Sequence, residues 1–339
     1  MQENTTSSWF SRHKIWTAVL IIIALLAVIL AFMQFMPVTV DDASVANPAA
    51  DYDEALARVQ ALRQEQEDSG IINPVCESLL LTHGEETEEV IVFFHGFTSC
   101  PEQFRELGQQ FFDLGYNVYI PLMPHHGYAD RDRDALLNTT AEELAAFATE
   151  SIDIAQGLGD YVTVGGLSGG GTIAAWVAQT HDDVASVVTI APFLGIGFIP
   201  TPLNRMVARV LDDIPNIDMW WDPGAKENNP MTAEYAYPGY PIHALAEYLH
   251  LGFATQDLAK DNIPAVASIV VISNAHDDSV NNGITEQLVE LWQQHGEEYL
   301  RTYNFEKALN LPHDLITPTR DDGNPALVYP VIIDSISVE

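Results

Sequence analysis

Two cysteines in 339 residues are too few for a disulfide scaffold or a thiolate zinc centre. Positive charge is also scarce: 14 Lys and Arg face 48 Asp and Glu, a formal net charge of −34. Such a chain has no basic face with which to neutralise phosphates, which argues against nucleic acid as a partner. It has equally little with which to grip anionic lipid headgroups. Charge of this sign and size suits both a salt-adapted protein and a well-solvated exported surface. Internal repeats and low-complexity tracts are missing as well. Apolar residues, in contrast, make up 47% of the chain, enough for one large core carrying an insertion.

The longest apolar run, residues 15–38, is interrupted only by Thr17, Gln34 and Pro37. As a helix it would span roughly 36 Å, sufficient to cross a bilayer with some tilt. Arg12, His13 and Lys14 precede it, and no Lys or Arg follows until Arg58. This bias predicts a cytoplasmic segment 1–14, a transmembrane anchor 15–38 and everything beyond on the extracytoplasmic side. A cleaved signal peptide is the competing reading, but its apolar core is shorter, about 7–15 residues. Residues 39–50 read as a polar, acidic tether. Ala55, Leu56, Val59 and Leu62 then recur at helical spacing, predicting a short exposed helix over 51–66 closed by Asp68-Ser69-Gly70.

From residue 71 onwards, short apolar runs alternate with helical patterns. Ser78–Thr82, Val90–Phe94, Asn117–Pro121, Ala185–Ala191, Ser268–Ser273 and Leu300–Phe305 read as strands; 140–158 and 326–336 read as helices. This alternation predicts an α/β domain with a mostly parallel central sheet and helices on both faces. The most informative stretch is Tyr161–Thr180. A strand with Val162 and Val164 enters Gly165-Gly166-Leu167-Ser168-Gly169-Gly170-Gly171 and leaves as an Ala-rich helix. Strand, glycine-bracketed serine, helix is the setting that gives G-x-S-x-G its meaning as a nucleophile turn. The serine must sit on a strained turn, its neighbours must be small, and the helix N-terminus favours developing negative charge.

The strand ending in His95-Gly96-Phe97-Thr98, the loop Pro124-His-His-Gly127 and the Gly166–Gly170 turn together resemble the α/β-hydrolase fold. Within it they are most similar to the bacterial carboxylesterase and monoacylglycerol-lipase-like branch, over about residues 74–339. The resemblance implies Ser168 as nucleophile, followed in chain order by an acid and a histidine. His313, after the last strand, matches the family's histidine. Asp277, in Asp277-Asp278-Ser279-Val280, matches its acid loop, with Asp278 as the alternative. His313 would then take the Ser168 proton, the Asp would fix the imidazole tautomer, and the amides of Phe97 and Gly169 would form the oxyanion hole. The expected substrate is a small acyl ester, with no cofactor and no metal. Acyl transfer, thioester hydrolysis and C–C hydrolysis reuse the same residues, and a silent, tethered binding module is the non-enzymatic rival. A family cap is expected over about 195–265, where Trp220, Trp221, Tyr235, Tyr237, Tyr240 and Tyr248 gather.

His125, His126, Asp130 and Asp132 lie close together, but the family carries a similar loop without metal, so they are expected to be structural. Cys76 precedes the first strand and Cys100 follows the strand beside it; in an exported domain they are expected to form a disulfide. Asn138-Thr139-Thr140 fits a glycosylation acceptor on the outside face. Oligomeric state leaves no signature in the chain.

Overall fold

The computed structural model describes residues 6–41, 43–229, 232–296 and 298–337, with the backbone alone for 6–13, 15, 23, 26, 27, 29–31 and 337. In chain order the elements are α1 (Thr6–Phe35), α2 (Tyr52–Ser69), β1 (Leu79–Leu81), β2 (Thr87–Phe94), α3 (Arg105–Asp113) and β3 (Asn117–Ile120). Next come α4 (Ala141–Ala155), β4 (Gly159–Leu167), α5 (Gly169–Thr180), β5 (Ser186–Ile190), α6 (Asn204–Asp213) and β6 (Asp218–Trp220). The chain ends with β7 (Gly239–Pro241), α7 (Ile242–Asp261), β8 (Ser268–Asn274), α8 (Asn282–Gln293), β9 (Leu300–Phe305) and α9 (Pro325–Ser337).

Among the described residues seven strands form one sheet in the order β1-β3-β2-β4-β5-β8-β9, all parallel except β1. Strand alternation sorts the core into two layers. Val90, Val92, Phe94, Val162, Val164, Val187, Ile269 and Val271 face α4, α5, α7 and α8. Ile91, Phe93, Val118, Ile120, Val188, Ile190, Val270 and Ile272 face α3 and α9. The chain reverses its direction of travel across the sheet between β2 and β4, which pair with Phe94 opposite Gly166. Their C-terminal ends therefore flank the crevice where open α/β sheets place ligands.

Local sequence sets the helix ends. Asp51 caps α2 by accepting from the Glu54 amide at 2.9 Å, and Gly70 closes it with φ 64°. Thr140 caps α4 by accepting from the Glu143 amide at 3.1 Å.

Three expectations need correcting. The helix predicted as exposed, α2, is docked: Ala55 and Val59 are fully buried in the core beside α4. The tether is docked too. Asn47 N donates to Asp153 Oδ2 at 2.9 Å and Ala49 N to the Asp153 carbonyl at 2.8 Å, and just before the tether Val38 N donates to Asp257 Oδ2 at 2.7 Å. The reason is steric as well as polar: a Cβ on Gly157 would lie 2.5 Å from the Asp51 carbonyl and 2.9 Å from Ala49, so glycine lets the tether lie flat. The cap is shorter and less helical than expected. Its elements are α6 and the antiparallel ribbon β6–β7, whereas α7 packs into the main helical layer with Leu249, Leu251 and Ala254 buried.

The predicted anchor 15–38 falls largely on α1, whose C-terminal end lies against α6. Among the described residues no helix is long and apolar enough to cross a membrane. Part of that predicted span lies outside the described side chains.

Candidate active site

Ser168 sits at the tip of the turn between β4 and α5 with φ 56° and ψ −115°, a conformation costly for a residue with a Cβ. The turn is possible because its flanks are bare. A Cβ on Gly166 would lie 2.1 Å from the Gly170 carbonyl oxygen, and one on Gly170 would lie 2.0 Å from that of Phe94. The Ser168 amide is pinned to the Ile190 carbonyl at 2.9 Å, which holds the tip over the end of β5.

The loop after β2 is rigid from within. His95 is fully buried, and its Nε2 accepts from the Met123 amide at 3.1 Å while Nδ1 donates to the Gly96 carbonyl at 3.0 Å. Burial holds its pKa well below the ordinary value, with His126 adding to the effect, so the ring is neutral. The Gly96 amide donates to Gln103 Oε1 at 2.7 Å. These bonds aim the next peptide, that of Phe97, at the elbow. A Cβ on Gly169 would lie 3.0 Å from the Phe97 nitrogen, so glycine there brings the two amides side by side. Among the described residues neither amide has an acceptor.

His313 completes the arrangement. Its Nε2 lies 2.8 Å from Ser168 Oγ and its Nδ1 2.6 Å from Asp277 Oδ2. The Asp277 side chain is wholly buried and accepts from the Ser279 amide through Oδ1 at 2.8 Å. Burial raises the carboxyl's pKa, but the charge and hydrogen bond of His313 outweigh it, so Asp277 lies below the ordinary carboxylate value. Burial likewise lowers His313, and Asp277 overrides it, leaving the imidazole above its ordinary value. The structure therefore brings Ser168, His313 and Asp277 together. Asp278 is exposed, and its carbonyl packs instead against Gly197 at the root of the cap.

Asn274 went unnoticed in the sequence. This buried residue ends β8; its Nδ2 donates to the carbonyls of Leu311 and Pro312, both at 3.0 Å, and its Oδ1 accepts from the His276 amide. It ties the acid loop to the histidine loop. An amide side chain ending a strand built on the apolar run Ile269–Ile272 was the available signal. Asp314 similarly folds the turn after His313, accepting from the amides of Ile316 and Thr317.

A cavity of about 560 Å³ opens above Ser168, with Phe97, Trp221, Tyr235, Tyr237 and His313 in its walls. Trp221 reaches from the cap to donate to Thr98 Oγ1 at 2.9 Å and packs at a tilt against Tyr240, with ring centroids 4.4 Å apart. Tyr248 lies on α7 rather than the cap and packs against Phe97 with ring centroids 4.9 Å apart. Cys76 and Cys100 are joined by a disulfide with Cα atoms 5.2 Å apart, three residues beyond Phe97. The two histidines and two aspartates of the 125–132 loop go separate ways. His125 pairs with Glu143 at 3.0 Å, His126 donates to the Pro124 carbonyl, and Asp130 and Asp132 accept from nearby amides. His276 is exposed at the cavity rim.

The sequence profile of the alpha/beta hydrolase family matches residues 91–313, two thirds of the chain and all of the residues just described as converging. The chain belongs to the alpha/beta hydrolase family. Among curated proteins, this hydrolase is 26% identical over 236 residues to a thermostable monoacylglycerol lipase of Bacillus sp. (strain H-257), covering 66% of this chain and 88% of the relative. Among solved structures it is similar to a metagenome-derived lipolytic enzyme from work on LipS and LipT. That match has a TM-score of 0.59 and 20% identity, and covers 77% of this chain and 97% of the other. It is also similar to a monoacylglycerol lipase of Paleococcus ferrophilus, with a TM-score of 0.56, 17% identity and coverage of 76% and 96%. At these identities the structural likenesses establish the hydrolase fold alone.

Proposed function

We propose that this hydrolase cleaves carboxylic esters of small acyl substrates through a covalent acyl-enzyme, with Ser168, His313 and Asp277 as its triad. The observation that carries the reading is the continuous contact from Ser168 Oγ through His313 to buried Asp277, beside two unpaired amides. In this scheme His313 Nε2 takes the Ser168 proton as Oγ attacks the ester carbonyl, and the oxyanion is received by the amides of Phe97 and Gly169. The imidazolium then protonates the leaving alcohol, and Asp277 stabilises its charge and holds Nδ1 protonated. Water enters, gives its proton to His313 and attacks the acyl carbonyl, which releases the acid and restores Ser168. A cavity of about 560 Å³ suits a small ligand. Lipase-like substrates are favoured by the name of the Bacillus relative.

We infer separately that the domain lies outside the cytoplasm, tethered to the membrane through the apolar segment 15–38, part of which lies outside the described side chains. Trp16, Leu20, Ile21, Ile22, Leu25, Val28 and Phe32 stand exposed along α1, and the Cys76–Cys100 disulfide suits an oxidising compartment. Alkaline carbonate should leave the intact chain in the membrane pellet; a soluble mature form beginning after residue 38 would sink the anchor. For the chemistry, a fluorophosphonate probe should label the wild type and p-nitrophenyl esters should be turned over with an acyl burst. Labelling that persists in Ser168→Ala would remove Ser168 from the role.

A further inference from the structure

Away from the catalytic cavity, α6 and α7 bring three ligand-bearing side chains to one place. Asp212 stands in the last turn of α6, and Glu247 and His250 stand one turn apart on α7. The spacing in Glu247-Tyr248-Leu249-His250 puts carboxylate and imidazole on one helix face, an arrangement by which helices present metal ligands. His250 Nε2 lies 3.0 Å from Asp212 Oδ2, and Nδ1 lies 3.9 Å from Glu247 Oε2. One donor atom from each residue falls within 4.8 Å of the others. A zinc-sized ion bonds to such atoms at about 2.0–2.2 Å, which separates adjacent ligands by roughly 3–3.5 Å. Only small shifts are therefore needed, and Asp212 is exposed, with room to make them.

Glu247 is already oriented, because its Oε2 accepts from the Ala141 amide at the start of α4 at 2.9 Å. Outer hydrogen bonds of this kind hold ligating carboxylates in place. The three residues border a cavity of about 210 Å³ that Glu142, Val38 and the tether residues Thr39 and Val40 also line. Arg209 borders it as well, but its Nη2 donates to the carbonyls of Met36 and Pro37. The carboxylates of Asp212, Glu247 and Glu142 outnumber the committed Arg209 guanidinium and the His250 imidazolium, which leaves negative charge for a divalent cation to neutralise.

We propose that Asp212, Glu247 and His250 bind one divalent transition-metal ion of the zinc class, through an imidazole nitrogen and two carboxylates, leaving a position for water. The ion braces the fold: it ties cap helix α6 to core helix α7 beside the tether. Its cavity shares no lining residue with the catalytic one, so the site stands independently of the hydrolase mechanism. The competing occupant of the same geometry is a proton. Burial lowers the pKa of His250, but its contacts with Asp212 and Glu247 outweigh that and hold it at about 9, so without metal the cluster is an imidazolium ion pair.

The test uses the full-length protein in detergent, stripped with EDTA and titrated with ZnCl2 and, separately, CoCl2. Calorimetry should find one zinc site tighter than the background of surface carboxylates, Co2+ should develop a visible d–d band, and Zn2+ should raise Tm. His250→Ala and Asp212→Asn should each abolish the band and weaken the site by more than the roughly 10–100-fold that loss of an outer-shell partner costs. Asp212 is exposed, so Asp212→Asn preserves the fold even if His250→Ala does not, with circular dichroism as the check. Zinc affinity unchanged in Asp212→Asn would overturn the proposal. So would a wild type with no zinc binding above background, and that result would identify the cluster as the ion pair.

Discussion

Replacing Asp277 by Asn changes one oxygen for an NH2 group and leaves the side chain's size unchanged, which makes it the sharpest probe of the proposed mechanism. In the wild type the carboxylate accepts from His313 Nδ1 at 2.6 Å and from the Ser279 amide at 2.8 Å. In Asp277→Asn the amide oxygen keeps the Ser279 bond, and its NH2 then faces Nδ1. Two donors cannot face each other, so the imidazole moves its proton to Nε2, the atom 2.8 Å from Ser168 Oγ. A protonated Nε2 cannot accept the serine proton, and turnover should fall about 10⁴-fold, or about 5.4 kcal/mol of barrier. Because the Asp277 side chain is wholly buried, solvent does not screen the loss.

The pH profile carries a second signature. The base must be neutral, so wild-type kcat/KM should fall as pH drops through the His313 pKa, which Asp277 holds above the ordinary value. Without the carboxylate's charge that limb should move to lower pH. Ester hydrolysis followed by stopped flow across pH, with circular dichroism to confirm folding, measures both effects. Asp278→Asn is the control, since Asp278 is exposed, and should leave kcat/KM near the wild-type value. If Asp278→Asn were inactive and Asp277→Asn active, the assignment of the acid would be refuted.

Other perturbations test other parts of the structure. Gly170→Ala would drive a Cβ to 2.0 Å from the Phe94 carbonyl oxygen and should prevent stable folding. Gly224→Ala, whose nearest neighbour is a side-chain oxygen at 3.2 Å, should be close to neutral, with Tm as the readout for both. Cys76→Ser with Cys100→Ser opens a loop of 24 residues' separation and should cost about 3 kcal/mol in urea unfolding, whereas an unchanged midpoint would show the bridge to be idle. Truncation to 71–339 removes buried Ala55 and Val59 with half-buried Tyr52 and Leu62, and should lose on the order of 4 kcal/mol relative to 36–339. Equal denaturation midpoints for those two forms would mean that α2 contributes nothing to the domain.

Features set by local backbone requirements were legible in the chain itself. The elbow could be read because a strained serine between two close-packed peptides tolerates only glycine at Gly166 and Gly170, and that constraint is written in consecutive residues. The parallel sheet was legible because strands buried on both faces are apolar throughout, as in Val90–Phe94. The choice between Asp277 and Asp278 was a matter of counting along one loop, and that count points to the residue that meets His313.

What depends on distant segments meeting could not be read this way. The 39–50 segment and α2 have the composition of a solvated leader; they are docked because Asp153 and the bare surface of Gly157 lie far along the chain. Asn274 is one amide among many until folding sets it against Leu311 and Pro312. The cap was overestimated because an apolar segment such as α7 suits either setting; only its burial between α5 and α8 assigns it to the core. Asp212 and His250 lie on separate helices, and tertiary packing alone places a carboxylate 3.0 Å from that imidazole. Local sterics are recorded in neighbouring residues, whereas a partner's charge or surface is recorded wherever the chain happens to return.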